Sequence, residues 1–356
     1  MKKRLLALAA LSAATGLASA QSSNVTLFGV VDVNLRYVNN DGGTQYQMSQ
    51  DGLASSRLGF RGTEDLGGGL TASFWLEGAL NPDIGTASGQ SWQRRSTVSL
   101  AGGWGELRLG RDYTSTFWNL GIFDPFGTVG VGNAGNLVLV PGTFGTNVPT
   151  GGAYGTLVRD NNMVGYFLPS GIAGGLYGQF QVAAGENSLG QKYIGGRLGY
   201  ATGPFNGAVD YGQTEVTADL NGDQFNLGAS WNFGVVMLSG YWGTIDIGNL
   251  SQDNWFIGAT APLGVWNFKA SYGQVSRSGV EGTVNIEGQK ASMFAIGTTY
   301  DLSKRTSLYA TYSTLDNKDG ARFIVAPLQG LPPTALGGSA VNGSSQGFEM
   351  GIKHSF

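Results

Sequence analysis

The chain of 356 residues contains no cysteine and only one histidine, His354. Without cysteine, it has neither disulfide bonds nor thiolate metal sites. A lone histidine gives no basis for a histidine-ligated metal, and Ser-His-Asp chemistry would need it beside an acid and a serine. We therefore expect no enzymatic activity and no bound metal.

Charge is also scarce. Charged residues make up 13% of the chain, and the formal net charge is −3, which argues against a nucleic-acid partner. Beyond residue 20 there is no run of about eighteen apolar residues, so no transmembrane helix is predicted.

The first twenty residues have the three parts of a secretory signal peptide. A basic start from Lys2 to Arg4 precedes an apolar stretch at 5–17 and a small-x-small site that ends at Ala20. We expect cleavage after Ala20, which leaves an exported domain of residues 21–356 with 18 basic and 24 acidic residues.

Glycine is abundant, with 60 residues, and aromatic side chains make up 11% of the chain. Apolar and polar residues alternate with a period of two, which indicates β-strands. In segment 225–233, Phe225, Leu227 and Trp231 fall on one face, and Asn226 and Ser230 on the other. In other segments the charged residues keep to the polar face, as in membrane barrels whose apolar face meets lipid.

About sixteen such segments follow the signal, an even number within the range of bacterial barrels. Short glycine-rich links alternate with longer polar stretches at 39–54, 81–90 and 317–345. A soluble sandwich would carry more charge on its exposed strands. We predict an all-β fold, namely a sixteen-stranded antiparallel transmembrane β-barrel.

One connection, at about 112–162, is much longer than the others and is rich in Phe, Val, Gly and Thr. A loop of that length in a compact domain is usually functional. If it folds into the lumen, it narrows the channel and makes one side of the constriction apolar. Gly130, Gly132 and Gly135 within it match the G-x-G-x-x-G dinucleotide fingerprint, but no parallel strand, following helix or acidic residue supports the match, and we expect no cofactor.

Several motifs carry a family resemblance across the mature chain. They are VTLFGVVD at 25–32, SRLGFRGTEDLGGGL at 56–70, RRSTVSL at 94–100, GELRLGR at 105–111, DPFG at 124–127 and the terminal GIKHSF. Together they resemble the trimeric general porins of Gram-negative β-proteobacteria, and in particular the anion-selective major porins of that group.

The resemblance implies an outer-membrane homotrimer of sixteen-stranded barrels, each with its third external loop folded inward. It also implies a passive channel for small hydrophilic solutes and ions that prefers anions. The matching wall arginines are Arg57, Arg159 and one of Arg94 and Arg95. Strand alternation favours Arg95 and alignment with the family favours Arg94, so both remain candidates.

Asp124 is the one acidic residue well inside the long loop, with Asp112 and Asp160 at its ends. Few carboxylates therefore offset the arginines, and the constriction is expected to be positive. Alternatively, the arginines pair with Asp32, Glu77 or Asp210. A solute-specific channel and a structural or adhesive barrel are the other functional hypotheses.

Further expectations concern the two faces of the wall. The residues expected to face the lumen are Asp32, Arg36, Glu77, Arg197 and Lys269. Phe356 resembles the terminal aromatic that the outer-membrane assembly machinery reads. The aromatic residues expected near strand ends, in contact with outer-membrane lipid, are Tyr37, Trp75, Trp104, Tyr200, Trp231, Trp242, Trp255 and Tyr272, although the parity of Trp75 points it inward.

Overall fold

A computed structural model describes residues 24–41, 43–86, 91–139, 156–281, 284–325 and 340–356. The predicted signal peptide at 1–20 lies outside the described residues. Among those described, no helix is long and apolar enough to cross a membrane.

The described residues form nineteen strands, two α-helices and one 3-10 turn. The strands are β1 (Asn24–Asn40), β2 (Gly43–Gln50), β3 (Arg57–Gly67), β4 (Leu70–Ala79), β5 (Arg95–Gly102), β6 (Gly105–Tyr113), β7 (Arg159–Phe167), β8 (Leu176–Ala183), β9 (Lys192–Thr202), β10 (Phe205–Thr217), β11 (Leu220–Asn232), β12 (Met237–Ile247), β13 (Leu250–Leu263), β14 (Trp266–Ser278), β15 (Val280–Glu281), β16 (Val284–Asn285), β17 (Gln289–Asp301), β18 (Thr306–Lys318) and β19 (Ser344–Ser355). The helices α1 (Ser115–Phe123) and α2 (Gly135–Val138) lie between β6 and β7, and the 3-10 turn (Ile172–Gly174) precedes β8.

Seventeen of these strands belong to one antiparallel sheet, while β15 and β16 form a separate hairpin. Within the sheet, β2 and β3 share one position, because β2 pairs with the second half of β1 and β3 with the first half. The last strand, β19, pairs with β1 from Val30–Ser355 to Asn40–Ser345 and closes the sheet. The chain is a closed, sixteen-stranded antiparallel β-barrel, and the predicted fold is confirmed.

The two rims of the barrel differ in their connections. The rim that carries Asn24 and Phe356, here called the turn rim, has connections as short as 203–204 and 264–265. The opposite rim, the loop rim, has the connections 80–94, 114–158, 279–288 and 319–343. Bacterial barrels place short turns in the periplasm and long loops outside, so the loop rim is the external one.

The alternation seen in the sequence separates an outer from an inner face. On β1, Val25, Leu27 and Leu35 point outward and are 62%, 52% and 60% exposed, whereas Asp32 and Arg36 point inward and are buried. The strand register places the residues expected at the lumen on the same inner face, which are Asp32, Arg36, Glu77, Arg197 and Lys269.

Two expectations about the connections were wrong. The stretch at 39–54, expected to be a loop, is mostly strand, because β2 pairs residue for residue with β1 from Val33–Gln50 to Asn40–Gly43. Its alternation is hard to recognise because Tyr46 and Met48 are the only apolar residues of the strand. At the loop rim, the links 218–219 and 248–249 are as short as those at the turn rim.

The barrel wall is interrupted between β2 and β3, at residues 51–56, and an inner-face carboxylate supports the break. Asp32 accepts hydrogen bonds from the backbone N–H groups of Gly52 at 3.4 Å and of Leu53 and Ala54 at 2.8 Å each, and from the hydroxyl of Tyr309. These donors account for the complete burial of Asp32 without an arginine partner. The break also sets where β3 begins, at Arg57.

The connection between β6 and β7 enters the barrel and packs on glycines of the inner wall. A Cβ at Gly228 would overlap the ring of Phe123, and one at Gly258 would overlap Pro125. The same close approach joins Phe126 to Gly297 and Val131 to Gly347, where a Cβ would lie 2.9 Å from the loop side chain. Glycine at these wall positions leaves room for the loop.

Hydrogen bonds from the wall complete the docking of this inward loop. The backbone N–H of Val131 donates to Glu349 Oε1 at 3.0 Å, and Ser313 Oγ donates to the Val131 carbonyl at 2.7 Å. Farther along the wall, Asn119 Nδ2 donates to Asn226 Oδ1 at 2.7 Å. The loop is therefore held by buried polar contacts as well as by apolar packing.

Glu349 joins the loop to the wall and is fully buried, with Arg36 Nη2 2.8 Å from its Oε2 atom. Replacement of Glu349 by Ala would leave both a buried guanidinium and the Val131 N–H without their acceptor. We expect Glu349→Ala to lower the free energy of unfolding by about 3–5 kcal/mol, measured by denaturant unfolding of the barrel in lipid vesicles.

The matched control is the double variant Arg36→Met/Glu349→Met, which removes both charges and retains side-chain volume. It should lose much less stability than Glu349→Ala, because a buried ion pair can often be replaced by apolar residues at little cost. Equal losses in the two variants would contradict the role assigned to the pair.

Candidate constriction site

The described part of the inward loop, residues 114–139 and 156–158, lies along one side of the lumen. Helix α1 contacts β8 to β12, and α2 contacts β14 and β17. The predicted arginines stand on the remaining wall, where Arg57 begins β3, Arg95 begins β5 and Arg159 begins β7. The passage therefore runs between the loop and an arginine-bearing wall.

Arg57, Arg94 and Arg159 form a cluster in which two of the guanidinium groups pair with Glu77. Arg94 Nε lies 2.6 Å from Glu77 Oε1, and Arg57 Nε lies 3.8 Å from the same oxygen. Arg159 donates through Nε to the Arg94 carbonyl at 2.8 Å and through Nη2 to the hydroxyl of Tyr113 at 2.8 Å. Arg57 and Arg94 thus share Glu77, and Arg159 joins them through the Arg94 carbonyl and Tyr113. Arg94 also interacts with Asp51, so three guanidinium groups lie near two carboxylates and positive charge is in excess.

Tyr113 connects this arginine cluster to the inward loop. Its ring lies 4.3 Å from the guanidinium carbon of Arg159, and it stacks on Phe117 of α1 with a centroid distance of 4.8 Å. Its hydroxyl also accepts a hydrogen bond from Arg94 Nη2 at 3.3 Å. A cation-π contact and a shared hydroxyl hold two like-charged side chains close together.

A second group of charges lies next to the first and is balanced. Arg95 Nε is 3.5 Å from Asp112 Oδ2, and Arg108 Nη1 is 2.7 Å from the same oxygen. Arg108 also pairs with Glu106, at 2.8 Å. Because two arginines meet two carboxylates here, this group adds no net charge to the wall.

Arg94 and Arg95 lie on either side of the start of β5, and both face the lumen. Arg95 is the first residue of β5 and stands opposite Glu77 in the register, so its side chain points inward. Arg94 precedes the strand, is free of its alternation, and also turns inward to bond Glu77. Both side chains therefore reach the inner face.

Asp124, the acidic residue well inside the loop, is turned into the loop itself. Its carboxylate accepts hydrogen bonds from the backbone N–H groups of Phe126 at 3.0 Å, Thr128 at 2.9 Å and Ala134 at 3.0 Å, and it is 5% exposed. It thus stabilises the turn of the DPFG motif. The carboxylate is therefore bound within the loop and is not exposed to the passage.

The carboxylates considered as alternative partners of the arginines behave differently from one another. Glu77 pairs with Arg57 and Arg94, as that alternative required. Asp32 is bound by backbone N–H groups and Tyr309. Asp210 stands opposite Arg197 in the register of β9 and β10, with no ion pair within 4.0 Å among the described residues.

The apolar character of the loop serves mainly to anchor it. Leu120 and Phe123 are buried against Ala208, Tyr241 and Phe256 of the wall. Only Ile122 of α1 is an exposed large apolar side chain, at 38%. In the described part of the loop, the apolar side chains of α1 therefore pack mainly on the wall rather than on the passage.

Sequence reasoning missed Tyr113, Glu349 as a loop anchor and the glycines that receive the loop. Tyr113 lies two residues after the GELRLGR motif, and no sequence pattern indicated a role for it. Trp75, which strand alternation placed on the inner face, does lie inside the barrel. The guanidinium carbon of Arg95 lies 4.6 Å from its ring centroid, and its Nε1 donates to Glu77 at 3.1 Å.

Comparison with known proteins places this geometry in a family. A family model described as Gram-negative porin matches residues 7–320. The chain is similar to outer membrane porin protein 32 of Delftia acidovorans, with 39% identity over the whole of both chains, and to an outer membrane porin protein of Bordetella pertussis, with 30% identity over the whole of both.

Among solved structures, an anion-selective porin from Comamonas acidovorans superposes with a TM-score of 0.82 and 36% identity, covering 94% of this chain and 100% of that one. Each of these relatives is described as a porin. The chain belongs to the Gram-negative porin family, and it is an outer-membrane diffusion channel.

Proposed function

We propose that the channel passes small hydrophilic solutes and prefers anions, because Arg57, Arg94 and Arg159 cluster at the wall opposite the loop with fewer carboxylates than guanidinium groups. The net positive charge of this cluster and the inward turn of Asp124 support the proposal. The similar porin from Comamonas acidovorans is described as anion-selective.

The physical reason lies in how charge acts in a narrow passage. Fixed positive groups on a low-dielectric wall raise the local concentration of anions and lower that of cations. The balanced group around Asp112 adds little to this field. Selectivity therefore rests on Arg57, Arg94 and Arg159, rather than on every arginine of the wall.

Replacing any one of these three arginines by Ala should weaken anion preference. We expect Arg57→Ala, Arg94→Ala and Arg159→Ala each to reduce the anion-to-cation permeability ratio roughly threefold to tenfold, because each removes one charge close to the permeating ion. The measurement is the zero-current potential of single channels in a salt gradient.

Arg305→Ala is the control, because Arg305 is exposed in the 302–305 link at the turn rim. It should leave the zero-current potential unchanged. A wild-type potential that shows cations favoured would refute anion preference, and a channel without stepwise conductance would favour the structural or adhesive barrel.

We further propose that the chain forms homotrimers and that the outer-membrane assembly machinery reads Phe356. Phe356 directly follows the closing strand β19, and its backbone N–H donates to the Gly29 carbonyl while its carbonyl accepts from the Gly29 N–H, both at 3.1 Å. The ring points outward and is 42% exposed. An accessible aromatic at the end of a strand suits recognition by a partner.

Deletion of Phe356 should reduce the folded barrel in the outer membrane several-fold, while the same variant still refolds in lipid vesicles. The measurement is the heat-dependent gel mobility of the folded barrel in both settings. Phe348→Ala, an outward aromatic on the same strand at 40% exposure, is the control and should assemble normally. Normal assembly without Phe356 in cells would count against the signal.

A further inference from the structure

The outer face near the loop rim carries aromatic side chains on β13, β14, β17 and β18. Trp255, Tyr272, Phe294 and Tyr312 all point outward and are between 37% and 42% exposed. Aromatic rings of this kind mark the boundary between hydrocarbon and headgroups. Outward residues beyond them toward the loop rim therefore face the headgroups of the outer leaflet.

Two lysines occupy that outer level. Lys290 of β17 and Lys318 of β18 stand directly opposite each other, point outward and are exposed. Opposite residues have Cβ atoms about 4.5–5.5 Å apart, and like charges at that spacing destabilise a sheet. Within the described part of the chain, neither lysine has an ion-pair partner within 4.0 Å.

A groove of about 240 Å³ lies between these lysines and the neighbouring strands. Its lining includes Asp253, Asp316 and Gln274 as well as Trp255. Ammonium groups suit a phosphate, whereas carboxylates and an amide oxygen accept hydrogen bonds from hydroxyl groups. The lining thus matches a ligand that carries both phosphate and hydroxyl groups.

We propose that this groove binds the phosphorylated sugar headgroup of an outer-leaflet glycolipid, with Lys290 and Lys318 on the phosphate and Asp253 and Asp316 on sugar hydroxyls. A lipid is favoured over free phosphate because the groove opens on the lipid-facing surface beside the exposed aromatics. The bound phosphate also removes the repulsion between the two lysines.

A third lysine supplies a matched comparison. Lys192 of β9 is also at the loop rim on the outer face, but its Nζ lies 2.6 Å from Glu215 Oε2. Its charge is already balanced within the protein. Replacement of Lys192 therefore removes a lysine at the same level of the outer face, but one whose charge is already paired with Glu215.

The test uses the purified, folded protein in detergent, with lipopolysaccharide binding followed by native mass spectrometry. The proteins are the wild type, Lys290→Gln/Lys318→Gln and Lys192→Gln, and the probes are intact lipopolysaccharide, its dephosphorylated form and inorganic phosphate. We expect the double variant to bind intact lipopolysaccharide roughly tenfold more weakly than the wild type, and Lys192→Gln to bind as the wild type does.

The dephosphorylated lipid should bind the wild type as weakly as the intact lipid binds the double variant. Inorganic phosphate should not displace the lipid. Unchanged binding in the double variant, an equal loss in Lys192→Gln, or displacement by inorganic phosphate alone would overturn the proposal. Single-channel conductance should be unchanged in all variants, which shows that they fold and separates this site from the anion preference of the lumen.

Discussion

The close approach of the inward loop to the barrel wall determines the form of the channel. Gly228 and Gly258 leave room for Phe123 and Pro125, and comparable gaps at Gly297 and Gly347 receive Phe126 and Val131. A side chain at these positions would push the loop away from the wall. The described part of the loop packs on strands from β8 to β19, and in this part of the chain the helices α1 and α2 lie away from the wall of β3 to β5.

The same arrangement separates the two signs of charge. Asp32, Asp124 and Glu349 each accept backbone N–H groups that the irregular segments leave without strand partners. These carboxylates therefore support the wall break at 51–56 and the inward loop. The arginines around Glu77 donate to backbone carbonyls, Arg57 to that of Ser55 and Arg159 to that of Arg94, and their excess positive charge remains at the wall opposite the loop.

Much of the fold follows from local patterns, whereas the site depends on distant contacts. Alternation predicted the barrel because each strand has one face in lipid and one in the lumen. It correctly placed Arg95 inside but could not place Arg94, which precedes β5, and it missed β2, which has only Tyr46 and Met48 as apolar residues. The bond from Val131 to Glu349 joins residues 218 positions apart, and no local pattern predicts such a contact.

The interruption at 51–56 has a consequence for the membrane as well as for the lumen. Backbone polar groups left unsatisfied in hydrocarbon cost several kcal/mol each, so a gap in a lipid-facing wall requires an internal repair. Here the repair comes from the water side, where Asp32 binds the amides of residues 52–54 and Arg36 reaches the Gln50 carbonyl at 3.4 Å. Residues inside the pore thus satisfy the backbone groups at this gap. Substitution of Asp32 or Arg36 would therefore change the lumen and also leave polar backbone groups of the wall unsatisfied.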